Sequence, residues 1–452
     1  MGESHGLPVV DGARLSAASL ESLRRELDSV AVPGRHAILA PADPRACAHT
    51  YLAARSLGVP LVLGTPQQQA RAFEPYRRVA GLTVVSCPTP QLSEPVAVMA
   101  TTSGTSGSGR YVAWSARSLR YQAHTTAKRL GTSAATRYAM ALGLGSSYGF
   151  SVLNLTLECG GEFRAREVTA VGPLVELLKA GGCDSLDTVP GVWRYLLQAM
   201  REDDELAAAV RRLAVRGVGG EVISHRLLDA FHDLDAPLHN GYGLTEAGPN
   251  VAISIGEHYS RRHVGTPLAG TDVRIVDDEI QVRSDSVAAY VWDGRTRRLT
   301  PNPDLTDDGW LRTKDMGALE SGGLLAVHGR LDSVLVSHGT KLHSSVLEQH
   351  VRGTGDRPLE AAVLQVDPER DGRVRLVLVA IAAEIDRSGD LERSIVADAK
   401  RFPAQFKARD ILLMDAADVP LTAAGKLDRR RLRAAVAAHL NGSMEMPCKQ
   451  LS

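Results

Sequence analysis

At 452 residues the chain is longer than one hydrophobic core organises, so two or three domains are expected. Hydrophobic residues make up 44% and charged residues 23%, which fits a globular protein and excludes a disordered or fibrous one. Lys+Arg and Asp+Glu both number 52, so no bulk charge draws nucleic acid or an anionic membrane.

Locally, the basic run Arg429–Arg433 has helical spacing and reads as a solvated face. Cys47, Cys87, Cys159, Cys183 and Cys448 are scattered without metal-ligand spacing, which argues for a reducing compartment. The opening "MGESHGLPVV" lacks a signal-peptide pattern, and no apolar run approaches the length of about 18 residues that a membrane span needs. A cytoplasmic protein is the expectation, with neither nucleic acid nor membrane as partner.

Strand-like and helix-like segments alternate from Leu15 to Val251. "RHAILAP" (35–41) is a short apolar run, "DPRACAHTYLAARSLG" (43–58) is periodic as a helix and closes on Gly, and "PLVLGT" (60–65) is again a strand. "YAMALGL" (138–144) precedes "YGFSVLNLTLE" (148–158), and "CDSLDTVP" (183–190) precedes "GVWRYLLQAM" (191–200). "RLAVRGVGG" (212–220), "EVISHRLLDAFHDL" (221–234) and "APLHNGYG" (236–243) complete the series. Such alternation predicts an α/β architecture of parallel-rich sheets flanked by helices, with ligands at the carboxyl ends of strands. Beyond residue 260, "TDVRIVDD", "EIQVRS" and "VAAYVWDG" predict a small antiparallel sheet or barrel. From Leu331 a smaller α+β unit follows, closed by the helix "LDRRRLRAAVAAHL". The expected domains are 1–331 and 332–440, with 441–452 as a frayed tail.

Between the apolar runs "PVAVMA" and "YVAW" lies "TTSGTSGSG" (101–109). The bland reading is a flexible turn. The sharper one is an anion cradle, since glycines let backbone N–H groups converge and Ser and Thr add hydroxyl donors. No G-K-[ST] follows, so it is not a Walker loop. Further along, "HNGYGLTEAG" (239–248) carries Tyr242, Thr245 and Glu246, and "GWLRTKDMG" (309–317) carries Asp315. "VHGRLDSVLVSHGTKL" (327–342) pairs Arg330 with Asp332, and "PLTAAGKLDRRRL" (420–432) presents Lys426. Singly, each is an ordinary turn or surface residue.

As an ordered set they resemble the adenylate-forming superfamily of acyl- and aryl-CoA ligases, peptide-synthetase adenylation domains and luciferases. Its T-S-G-T-[ST]-G-x-P-K loop is matched by Thr102, Ser103, Gly104, Thr105, Ser106, Gly107 and Ser108, with Gly109 for Pro and Arg110 for Lys. Y-G-x-T-E is Tyr242 to Glu246, T-G-D is Thr313-Lys314-Asp315, and G-R-x-D is Gly329 to Asp332. P-x-T-x-x-G-K is Pro420 to Lys426.

The resemblance implies ATP and Mg²⁺. The 102–110 loop would hold the β- and γ-phosphates, Glu246 the metal, and Thr245 the α-phosphate. Tyr242 would stack on adenine with Asn240 at its amino edge and Gly219, Gly220 and Glu221 forming the opposite wall, and Gly241 and Gly243 would also bind the nucleotide. Asp315 would bind the ribose with Arg330 nearby, and Lys426 would neutralise the attacking carboxylate and α-phosphate. Asp332 would be the hinge of a mobile C-terminal domain. The acid would sit among Tyr148, Gly149, Phe150, Ser151, Gly219, Gly243 and Asn250.

The run from Val264 to Gly294 looks most like that of o-succinylbenzoate–CoA ligase and related aryl-acid ligases. Amino-acid-activating members carry F-D-x-S where this chain has Tyr148-Gly149-Phe150-Ser151. A free α-ammonium would find no partner there, so an aryl or other non-amino carboxylic acid is expected. "SHGTKL" (337–342) stands for the usual S-G-G-E-x-I. CoA is the first expectation for the acceptor, with a carrier-protein phosphopantetheine or an amine or hydroxyl as alternatives. The resemblance leaves room for a homodimer, and for a non-catalytic nucleotide-binding paralogue.

Overall fold

Local signals start and stop the helices around which the sheets assemble. Asp43 caps Pro44–Ser56 by accepting from Ala46 N at 2.7 Å, and Pro44 opens that helix where no amide bond is missed. Ser115 caps Ala116–Leu130, which Gly131 ends, and Ser146 caps Ser147–Cys159 through Gly149 N at 3.0 Å. The computed structural model describes residues 7–101, 110–166, 171–221, 223–337, 340–352, 359–366, 375–382, 389–420 and 427–451. They form two compact units, one of residues 1–223, 228–313 and 318–326, the other of 224–227, 314–317 and 327–452.

The first unit carries two eight-stranded sheets. In one, Val9–Val10, Glu162–Arg166, Arg137–Ala141, Ser185–Thr188, Val215–Val218 and His239–Gly243 run parallel as neighbours. Asn250–Ile253 and Ala13–Arg14 close its two edges antiparallel. In the other, Val96–Thr101 pairs antiparallel with Arg110–Ser115, so the Gly/Ser/Thr run does lie between two paired strands. Val98, Ala100, Val112 and Trp114 of this sheet share one core with Tyr138, Met140 and Phe163 of the first. Ala48, Tyr51, Leu119, Ala123, Phe150 and Leu153 from three helices join that core. Helices therefore lie between the sheets, and the strands read as near-continuous apolar runs because both faces are covered.

One strand belongs elsewhere than expected. "VAAYVWDG" contributes Tyr290–Asp293 to the second large sheet, beside Arg110–Ser115, and not to the small antiparallel sheet. Trp292 is fully buried there and stacks on Phe73 with centroids 5.3 Å apart. Its short apolar pattern did not reveal which distant partner would cover it. Asp272–Val276 and Glu279–Arg283 do pair as a small antiparallel hairpin.

The second unit holds an antiparallel pair, Val334–Ser337 with Thr340–His343, and a sheet ordered Leu359–Val366, Arg375–Ala382, Asp410–Asp415, Cys448–Leu451. Alternate residues of Arg375–Ala382 enter different cores. Leu378 and Ala380 meet Leu347 and Ile395, whereas Val377 and Val379 meet Leu432 and Val436. The unit's main stretch begins at Val327, ahead of the expected boundary at 331/332. His343 Nε2 lies 2.8 Å from Arg330 O, and Ser345 Oγ donates to His328 O at 2.7 Å, which fastens 328–330 to this body. The expected fraying of 441–452 is also corrected. Cys448–Leu451 pairs with Ile411–Met414, anchored by the buried Met446 and Leu451. Backbone pairing holds an edge strand in place without a strong sequence pattern.

Candidate active site

The carboxyl ends of Val215–Val218 and His239–Gly243 bring several expected residues together. Gly219 is buried, Gly220 and Glu221 are exposed beside it, and Asn240 and Gly241 are half-buried on the neighbouring strand. Tyr242 is buried. A Cβ on Gly243 would overlap the Pro249 carbonyl, so the chain folds back here with Leu244 N donating to Pro249 O at 2.9 Å. That reversal produces a 3-10 turn, Thr245–Ala247, which presents Thr245 and Glu246.

Hydrogen bonds from four segments fix this turn. Trp114 Nε1 donates to Thr245 O at 3.1 Å. The Thr245 hydroxyl lies 2.9 Å from Ser147 Oγ and 3.4 Å from Thr101 O. Ala288 N donates to Glu246 O at 2.9 Å, and Ser286 Oγ to Ala247 O at 2.7 Å. Thr245 thereby joins the end of Val96–Thr101 to the start of the helix Ser147–Cys159. The cradle residues Thr102 to Gly107, and Lys426, lie outside the described residues. Arg110 Nη1 is 3.8 Å from Asp304 Oδ2.

A tight crevice of about 10 Å³, room for about one water molecule, lies between the helices Ala116–Leu130 and Ser147–Cys159. Gln122, Thr126, Ser147, Phe150, Ser151 and Asn250 are among its lining residues. Asn250 Nδ2 donates to Thr126 Oγ1 at 3.2 Å, Ser151 Oγ to Tyr148 O at 2.7 Å, and Phe150 packs edge-on against Tyr51. Gly149 is buried where a Cβ would overlap the Gly143 carbonyl.

The strand Ser185–Thr188 adds a carboxylate that the Tyr148–Ser151 motif did not announce. Asp187 Oδ1 accepts from Tyr148 OH at 2.9 Å, and Oδ2 accepts from Ser185 Oγ at 3.3 Å. Burial pushes the Asp187 carboxyl up to about 6, and burial together with this carboxylate holds the Tyr148 phenol well above its usual range. An Asp inside "SLDT", a strand with every residue buried, was the available signal. Trp114 and Ser147 were missed because their partner, Thr245, is distant in sequence. His239 is structural: its Nδ1 accepts from Arg216 N at 3.0 Å, and burial, then Arg216, lowers its pKa to about 3.

In the second unit, Arg330 Nη1 donates to Asp315 Oδ1 at 3.2 Å, with Asp315 buried. Lys314 replaces the glycine of T-G-D yet takes φ +63°, the left-handed conformation that glycine favours. Asp332 lies in the 3-10 turn Leu331–Ser333.

Residues 33–292 match the family model described as AMP-binding enzyme. The 2-succinylbenzoate–CoA ligase of Salmonella typhimurium is 33% identical over 215 residues, 47% of this chain and 43% of that protein. The match thus spans less than half of this relative's length. Among solved structures, the amide bond synthetase McbA from Marinactinospora thermotolerans superposes with a TM-score of 0.74 at 21% identity, covering 95% of this chain and 97% of that one. O-succinylbenzoate Coenzyme A Synthetase from Bacillus subtilis, in complex with AMP, gives 0.73 at 17%, covering 95% of each chain. At these identities the structures share the fold.

Proposed function

The chain belongs to the AMP-binding enzyme family, and on that premise we propose that it is an ATP-dependent, AMP-forming carboxylic acid ligase. A small aryl or other non-amino acid attacks the α-phosphorus through its carboxylate oxygen, pyrophosphate leaves, and the acyl group passes from the adenylate to CoA. The observation that carries this reading is the junction at Thr245. It gathers the end of the strand leading into the Gly/Ser/Thr loop, the Tyr242–Glu246 turn and the helix that lines the crevice.

The residues fit a nucleotide. Gly219 and Gly241 offer backbone without side chains, and a Cβ on Gly219 would stand 3.3 Å from Gly241 O. Tyr242 and Asn240 beside them supply a ring and an amide for a purine. Among the described residues no three His, Cys, Asp or Glu side chains gather to hold a metal by themselves. Mg²⁺ accepts one or two carboxylates with phosphate and water oxygens, and Glu246 would be its protein ligand. When bound, the ion neutralises phosphate charge. Thr245 orients the α-phosphate, and Arg110 exchanges Asp304 for a phosphate oxygen. Roles for Asp315 and Arg330 at the ribose, for Lys426 at the reacting carboxylate and for Asp332 as a hinge rest on the motif match. In-line displacement needs such positioning and neutralisation more than covalent help.

No carboxylate stands among the residues lining the crevice, which supports a non-amino acid. A second reading is transfer to an amine, supported by "SHGTKL" in place of the usual loop and by the fold shared with an amide bond synthetase. Pyrophosphate release across aryl, fatty and amino acids tests adenylation. Chromatography of the product formed with CoA, or with an amine, separates the acceptors. Acid-independent ATP turnover would contradict the reading.

A further inference from the structure

Asp187 is a buried carboxylate that the proposed chemistry does not use. It sits on the strand Ser185–Thr188 and is 9% exposed. Three elements are shaped around it. The helix Ser147–Cys159 supplies Tyr148 OH at 2.9 Å, the strand itself supplies Ser185 Oγ at 3.3 Å, and the strand Val215–Val218 supplies a glycine. A Cβ on Gly217 would overlap Asp187 Oδ1. Among the described residues no cation balances this charge; both hydrogen-bond partners are hydroxyls. Burying an unpaired carboxylate is costly, and a neutral residue would fill the space more cheaply.

What the carboxylate holds is the ring of Tyr148, one of the residues that the motif match assigns to the acid. Tyr148 is partly exposed, and its Cε1 lies 3.5 Å from where a Cβ on Gly219 would stand, with Gly241 O at 3.3 Å from the same point. Its backbone end is fixed in the capped first turn of the helix, and its hydroxyl end is fixed by Asp187. Tethered at both ends, the ring is a fixed flat wall against bare glycine backbone. An ionised acceptor makes that tether stronger than an amide or hydroxyl would. We propose that Asp187 is a positioning residue for acid selection: by anchoring Tyr148 it makes the wall against which a flat carboxylic acid binds. The proposal rests on the ligase reading of this site.

The test uses the full chain, ATP at saturation, and an aryl acid that supports pyrophosphate release. Asp187→Ala raises the KM for the acid by about 10- to 100-fold, the scale of one hydrogen bond to a charged group, while kcat and the KM for ATP stay within about 3-fold. Tyr148→Phe, which cuts the same bond from the other side, does likewise, and the double variant is no worse than either single one. Asp187→Asn keeps an acceptor at Oδ1 without the charge and returns only part of the lost affinity. Equal increases in both KM values, multiplicative losses in the double variant, or an unchanged acid KM would each overturn the assignment. If the unsubstituted chain releases no pyrophosphate with any acid, the ligase reading fails by itself. Crystal structures of the unsubstituted chain and Asp187→Ala then decide the positioning claim. A Tyr148 ring that moves in the variant supports it, and one that keeps its place overturns it.

Discussion

The Thr245 junction and the Asp187–Tyr148 wall lie in the same unit but are built from different materials. The junction consists of backbone carbonyls, hydroxyls and an indole N–H, held by neutral hydrogen bonds. The wall contains a desolvated carboxylate with hydroxyl partners alone. Neutral hydrogen bonds in a folded turn contribute modestly to stability and hold geometry. A buried carboxylate works against stability. The comparison separates a part that serves the nucleotide common to the family from a part that serves one acid.

The largest effect should come from the nucleotide chemistry. Lys426→Ala is expected to lower pyrophosphate release by about 10³-fold or more, the scale of removing a preorganised charge from a transition state. Transfer from a synthetic acyl-adenylate should persist. Stopped-flow measurement of each half-reaction checks this, and equal losses in both would erase the division of labour between Lys426 and the acceptor step.

A stability measurement sharpens the contrast next. The Asp187 carboxyl is raised from 3.8 to about 6 in the folded chain. The folded state therefore keeps its proton in a range where the unfolded state has lost it. That contribution favours the fold below about pH 4, is lost as pH rises towards 6, and stays lost above. Asp187→Asn escapes it and should gain up to roughly 3 kcal/mol over the unsubstituted chain at pH 7.5, with the gain vanishing near pH 4. Chemical denaturation at both pH values measures it. No gain at pH 7.5 would mean that the wall carries no desolvation cost and would remove the contrast with the junction.

The smallest effect concerns backbone strain. Lys314 holds φ +63° without being glycine, and left-handed backbone costs a side-chain-bearing residue about 1–2 kcal/mol. Lys314→Gly relieves this but admits more unfolded conformations, so a net gain of about 0.5 kcal/mol is expected in thermal melts. A loss would show that the Lys314 side chain contributes contacts outweighing the strain.

The same contrast explains what was legible in the sequence. Only the turn of the junction is written locally: Gly243 and the Thr245–Glu246 pair fall within a few residues, and glycine stands where Pro249 O approaches, whereas Thr101, Trp114 and Ser147 reach Thr245 from distant positions. The parallel strands and capped helices are equally local, carried by apolar runs and by Ser or Asp at helix starts. The wall is written in pieces. Tyr148, Asp187 and Gly217 come from three elements, and their meeting depends on strand order, which no local pattern encodes. Tyr290–Asp293 and Cys448–Leu451 escaped for the same reason, because each pairs with a strand distant in sequence.

The most direct test of the ligase reading follows a single oxygen. If the acid's carboxylate attacks the α-phosphorus, an acid labelled with oxygen-18 in its carboxyl group must leave one of those oxygens in AMP once the acyl group has been transferred. Mass spectrometry of the nucleotide product should show AMP carrying one heavy oxygen from the acid, with pyrophosphate unlabelled. Unlabelled AMP, or ADP with inorganic phosphate, would contradict an acyl-adenylate and with it the function proposed for this chain.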